Sequence, residues 1–164
     1  MKVIVALDQT EYANQVVDAV LERRWPKDTC FKLITVLEPH QWEEADWQKW
    51  RKLTQEVSAE REKLAETWLK IARLKIQEKV ANCSVHLEIK HGCAKTELLK
   101  AATEWMCDKI MVGAHGHQPN RLFGSVPHTL SRQAPCSIEL IRLQRRLPCE
   151  LPVKEAKEKI HATT

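Results

Sequence analysis

Glycine is scarce in this chain, with four in 164 residues, and aromatic residues other than its six tryptophans amount to two phenylalanines and one tyrosine. No segment approaches the run of about 18 apolar residues that a membrane-crossing helix needs, so no membrane span is expected. None of the six cysteines (Cys30, Cys83, Cys93, Cys107, Cys136 and Cys149) forms a Cys-x-x-Cys pair. That spacing argues against a zinc site and against a disulfide framework. A block of one charge sign is missing as well. The 26 Lys and Arg are mixed with 22 Asp and Glu for a net charge of +4, and no concentrated basic stripe precedes roughly the last twenty residues. Nucleic acid is therefore not an expected partner.

What remains fits an ordinary globular domain. Hydrophobic residues make up 43% and charged residues 29%, values that disfavour disorder, and the length suits one domain. The opening Met1–Asp8 ends in an acidic residue with no small-residue cleavage site behind it. It reads as a buried strand rather than a signal peptide. With scattered cysteines, that places the chain in the cytoplasm with reduced thiols, as an expectation.

Short apolar runs alternate with helical ones. Val3–Leu7 is continuously apolar, as in a strand covered on both faces. From Thr10, a suitable N-cap, to about Arg24, apolar residues recur at helical spacing. Cys30–Leu37 is a second strand, stopped by Pro39. From about Trp42 to Val80 the chain is free of Gly and Pro, and Trp50, Leu53, Val57, Leu64, Trp68 and Ile71 recur at threes, fours and sevens. One long helix with an irregular lead-in over Trp42–Trp50 is expected. Val85–Lys90 alternates with period two, as in a strand near an edge. A helix over Ala94–Met106, a strand at Lys109–Val112, a short helix from Val126 to about Arg132 and a strand at Ser137–Arg142 complete the pattern. Residues 1–143 form the expected domain. Residues 144–164, basic and carrying Pro148 and Pro152, form an extension outside its core.

This β-α alternation predicts an α/β fold with a parallel sheet and helices on both faces. Ligands of such sheets sit beyond the carboxyl ends of the strands, where strand order reverses. That rule points to the positions after Asp8, after Val36 and after Val112. The last is the most suggestive, because three of the four glycines (Gly113, Gly116 and Gly124) follow that strand within a dozen residues. Glycine allows close approach of a ligand to the backbone. A strand, a glycine loop and a helix N-terminus present N–H groups to an anion, and phosphate matches best. Ser125, at the start of the next helix, would cap it or donate to a phosphate oxygen. The plainer reading is that the glycines serve a tight turn and a close helix–strand contact.

Val112-Gly113-Ala114-His115-Gly116, then Phe123-Gly124-Ser125-Val126, then Ala134–Arg142 resemble the C-terminal signature of the universal stress protein family. The opening Val3–Asp8 with Tyr12 and Ala13, Thr35–Pro39, and His91–Ala94 extend the resemblance over about residues 2–142. It implies a five-stranded parallel sheet sandwiched by helices, adenine nucleotide alpha hydrolase-like, with strand order 3-2-1-4-5. It also implies a homodimer, built through the last strand, Ser137–Arg142. In the nucleotide-binding branch of the family, Asp8 and Val36 would contact adenosine. Val112, Gly113, His115, Gly116, Gly124, Ser125 and Val126 would surround ribose and phosphates. The implied cofactor is ATP, or ADP or AMP, with Mg2+ accompanying the phosphates. One departure stands out: seven residues separate Gly116 from Gly124, two fewer than in the family pattern. The shortening removes about half a helical turn, and Pro119 stiffens what remains.

Sharper chemistry finds less support. His115-Gly116-His117 lacks the preceding histidine of the His-x-Gly-His nucleotidyl transferase motif, because residue 114 is Ala. A metal site from His115, His117 and His128 lacks spaced carboxylate or thiol partners, so no metal site is expected. No nucleophile set stands out, no catalytic residue is assigned, and any ATP hydrolysis would be slow. Asp8 has the bland alternative of capping a helix turn, and Cys136 reads as a small buried hydrophobe. The Trp42–Trp50 group is the candidate protein-facing or lipid-facing patch. Two functions lead: an adenine-nucleotide-binding module of stress response or signalling, or a dimeric interaction domain of the same fold that binds no nucleotide, its protein partner unknown. A hydrolase or nucleotidyl transferase of the wider adenine-nucleotide-binding superfamily is a weaker third.

Overall fold

The computed structural model describes residues 1–8, 12–38, 47–114 and 124–142. Nine elements alternate strictly along it. They are β1 (Lys2–Ala6), α1 (Ala13–Leu21), β2 (Cys30–Leu37), α2 (Trp47–Lys79), β3 (Ser84–His91), α3 (Ala94–Trp105), β4 (Lys109–Ala114), α4 (Ser125–Gln133) and β5 (Ser137–Arg142). The strands form one sheet in the order β3-β2-β1-β4-β5, every pair parallel. The parallel α/β class is the one the alternation predicts, and the strand order is the one the family resemblance implies.

The apolar runs explain the layering. In central β1, Val3, Ile4 and Val5 are fully buried, and successive side chains serve opposite faces. Val3, Val5 and Leu7 pack with Val16, Val17 and Val20 of α1 and with Leu69, Ala72 and Ile76 of α2. Ile4 and Ile34 pack on the other face with Leu98, Ala101 and Ala102 of α3 and Leu130 of α4. Helices α1 and α2 thus cover one face, and α3 and α4 the other.

In α2 the buried residues Ala65, Leu69, Ala72 and Ile76 lie at steps of four, three and four, one stripe of the helix. The period-two segment is β3, an edge strand whose Glu88 forms partly buried ion pairs with Lys32 of β2 and with Lys90. Gly92 carries the chain from β3 into α3 at φ 132°, a conformation that L side chains rarely adopt.

Most element bounds lie one to three residues from the expected ones, and two helix starts also differ. Helix α1 begins at Ala13 with Tyr12 as N-cap and no capping side-chain bond, so it starts with the first residues that pack on the sheet. Thr10, the expected cap, lies outside the described residues. Helix α2 already runs at Trp47, so Trp47–Trp50 is helical rather than irregular, and residues 42–46 lie outside the description. The 144–164 extension does too. Among the described residues, no helix is long and apolar enough to cross a membrane.

Candidate functional site

The chain leaves β1 for α1 on one face of the sheet, and leaves β4 for α4 on the other. Since β1 and β4 are neighbours whose following helices lie on opposite faces, the strand order reverses between them, and the crevice beyond their carboxyl ends is the expected ligand position in an open α/β sheet.

Strand register sets Asp8, Val36, Val112 and Gly113 at the carboxyl end of the sheet. Ala6 of β1 lies opposite Ile34 of β2 and Val112 of β4. Two residues further along each strand come Asp8, Val36 and Ala114, so Asp8 and Val36 stand at one level. The Leu7 N–H donates to the Ile34 carbonyl at 2.9 Å. Residues two apart on a strand turn their main chain to the same neighbour, so the Val36 main chain faces the end of β1. Its side chain packs instead with the α3 and α4 layer. Val36 can therefore offer a ligand its backbone at the crevice and not its isopropyl group.

Asp8 is exposed and borders a narrow cleft on the α1 and α2 face. Ala13, Asn14, Thr35, Trp68 and Ile71 complete the rim. Thr35, one of two buried polar residues among the described residues, donates its hydroxyl to the Leu7 carbonyl at 3.0 Å and so pins the chain just before Asp8. The sequence reading passed over Thr35 and Trp68. A threonine amid the apolar Leu33–Leu37 run was the available signal for the first. Nothing in the helical spacing of Trp68 marks it as a neighbour of Asp8.

On the opposite side, Val112 is buried in the sheet and Gly113 pairs with Ile141 of β5. Gly124 is the N-cap of α4 at φ −64°, so its conformation does not require glycine; what it contributes is the lack of a side chain. In α4 the first intrahelical donor is His128, whose N–H reaches the Gly124 carbonyl at 3.2 Å. Pro127 has no N–H, which leaves those of Ser125 and Val126 as the orphan donors of the first turn. With the helix dipole behind them, they favour an anion. By contrast, the α3 N-terminus is already occupied. Glu38 accepts the Ala94 N–H at 2.9 Å, and the N–H groups of Thr96 and Lys95 hold the exposed Cys93 thiol below its ordinary pKa. His115, Gly116, His117 and Pro119, with the shortened span they belong to, lie outside the described residues. Among the described residues, no group of three or more His, Cys, Asp or Glu is arranged to hold a metal ion.

The family model described as the universal stress protein family matches residues 1–142. Three solved structures illustrate the likeness. A universal stress protein from Lactobacillus plantarum shares 17% identity at a TM-score of 0.63, covering 87% of this chain and 97% of that one. A universal stress protein family protein from Arabidopsis thaliana with AMP bound shares 17% identity at 0.65, covering 92% and 97%. A universal stress protein in complex with cAMP shares 16% at 0.59, covering 88% and 98%. At these identities the likeness is one of fold. Among curated proteins, none matches the sequence.

Proposed function

This chain belongs to the universal stress protein family, and from that membership we propose that it is a binding module for ATP or a related adenine nucleotide, acting in stress response or signalling. The observation that carries the proposal is the placement of two features on opposite sides of the β1–β4 strand pair. The orphan N–H groups of Ser125 and Val126 begin α4 on one side, and Asp8 borders an apolar cleft on the other. Phosphates suit the first, and the apolar side chains beside Asp8 suit one face of an adenine ring laid over them. Asp8 and the Val36 main chain would hold adenosine. Val112, Gly113, Gly124, Ser125 and Val126 would line the ribose and phosphates, with His115 and Gly116 between. The AMP and cAMP complexes of structural neighbours support an adenine nucleotide as the ligand class. Mg2+ would arrive on the phosphates rather than in a protein cage. The cytoplasm is the proposed setting, in keeping with the free thiols of the five described cysteines.

Gly124→Asp tests the site without threatening the fold. Gly124 has an ordinary φ, and Asp is a preferred N-cap, so the variant should melt no lower than the wild type. Its carboxylate would occupy the α4 N-terminus and repel phosphate. We expect ATP, ADP or AMP to be released by acid from the purified wild type, and calorimetric ATP affinity to fall at least about tenfold in Gly124→Asp. A wild type that carries no nucleotide and gives no heat at millimolar ATP overturns the proposal.

That outcome would favour the second reading, a dimeric interaction domain. β5 is an edge strand whose Ser137 and Arg142 are exposed, and a second copy would pair there. Light scattering on wild type and Ile138→Pro reads it directly: the wild type should be a dimer and the variant a monomer. A monomeric wild type removes the homodimer.

A further inference from the structure

At the amino end of the sheet, opposite the crevice, Cys107 lies just before β4 and Cys136 just before β5, with their sulfurs 3.3 Å apart. Among the described residues no other two sulfurs are in hydrogen-bond contact. Strand pairing holds them there: Lys109 is opposite Ser137, and the Ser137 N–H donates to the Asp108 carbonyl at 3.2 Å. By that register Cys107 is displaced one residue diagonally from Cys136. Parallel strands about 4.8 Å apart with a rise of about 3.3 Å per residue give a Cα separation of roughly 6 Å, inside the range a disulfide spans. We propose that Cys107 and Cys136 form a redox-active dithiol, oxidised by hydroperoxides to an intramolecular disulfide and reduced again by small thiols.

The two cysteines divide the work. Cys107 is buried, and burial together with neighbouring Cys136 pushes its thiol up to about 12, so it keeps its proton and donates it toward Cys136. The half-buried Cys136 is the sulfur a peroxide reaches. Its sulfur displaces water from hydrogen peroxide and becomes a sulfenic acid. The Cys107 sulfur then attacks the Cys136 sulfur, its proton leaves with the displaced hydroxyl as a second water, and the S–S bond forms. Two thiols lose two electrons, and one peroxide becomes two waters. The bond would clasp the two feet of the β4–α4 unit, the stretch of chain that carries Gly113, Gly124 and Ser125.

The test uses the full chain, fully reduced, then treated with hydrogen peroxide, alkylated under denaturing conditions and mapped by mass spectrometry. One disulfide joining the Cys107 and Cys136 peptides within a monomer is expected, reversible by dithiothreitol. The oxidised chain should melt roughly 5–10 °C higher, because the closed loop restricts the unfolded state. In Cys107→Ser, Cys136 should instead be trapped as a sulfenic acid that dimedone labels. Recovery of both cysteines as alkylated thiols after peroxide, their over-oxidation without a cross-link, or cross-links only between chains would each overturn the proposal. The wild-type map decides it even if the serine variants fold poorly, and it is independent of nucleotide binding.

Discussion

The Glu38 carboxylate caps a helix that begins 56 residues later, accepting the Ala94 N–H at 2.9 Å. It joins the end of β2 to the start of α3 and supplies the negative charge that this N-terminus favours. Glu38→Ala should cost about 1 kcal/mol, read as a lower urea midpoint with an unchanged slope. Glu38→Gln should recover part of it, since the amide oxygen still accepts but carries no charge.

Glu139 sits between Lys109 and Arg23, accepting from Lys109 Nζ at 3.0 Å and paired with Arg23 across the sheet face. Burial pushes its carboxyl up, but the hydrogen bonds and charges of Lys109 and Arg23 outweigh it and hold it below the ordinary value. Glu88, between Lys32 and Lys90, is likewise held low against its own burial. A carboxyl lowered on folding adds stability that is complete above its unfolded pKa and lost as pH falls through its folded pKa. Denaturation midpoints should therefore fall in acid, below about pH 4.5. In Glu139→Gln the neutral-pH stability should drop by about 1 kcal/mol and the acid decline should become shallower.

Met106 ends α3 in the left-handed conformation at φ 49°, with its side chain 74% exposed. Glycine adopts that conformation without the Cβ penalty. Met106→Gly should stabilise the protein by roughly 0.5–1 kcal/mol, seen as a rise in Tm. A fall would mean that the Met106 side chain contributes packing that its exposure does not suggest.

Leu130 is the fully buried anchor of α4 against Ile4, Ile110 and the α3 layer. Leu130→Ala should cost about 2–5 kcal/mol, through lost burial and the cavity left behind. Chemical denaturation measures it.

How much was legible in the sequence depended on the range of the interaction. The β2 span Cys30–Leu37 and the β5 span Ser137–Arg142 match the reading residue for residue, because short β-type runs bounded by proline, as at Pro39 and Pro135, carry their own limits. The edge position of β3 was legible in the alternation Val85–Lys90. Thr10 misled because a good capping residue was available, whereas α1 starts where side chains first meet the sheet, at Ala13. The family pattern named Asp8 and Val36 together, but the orientation of Val36 was not legible, since it depends on the parity of β2 against β1. The meeting of Cys107 and Cys136 was out of reach as well. Separated by 29 residues, they come together only through the register of β4 with β5.

The adjacency of β1 and β4 has a kinetic consequence. The Lys2 N–H reaches Asp108 Oδ2 at 2.6 Å across 106 residues of sequence, the longest loop that any pairing in the sheet must close. The β1–β2, β2–β3 and β4–β5 pairings each join strands consecutive in the chain, so two subassemblies can gather before they join. The crevice lies on the seam between them. A chain still emerging from the ribosome has no such seam until β4 is made, so occupancy of the crevice would report that folding has reached its end.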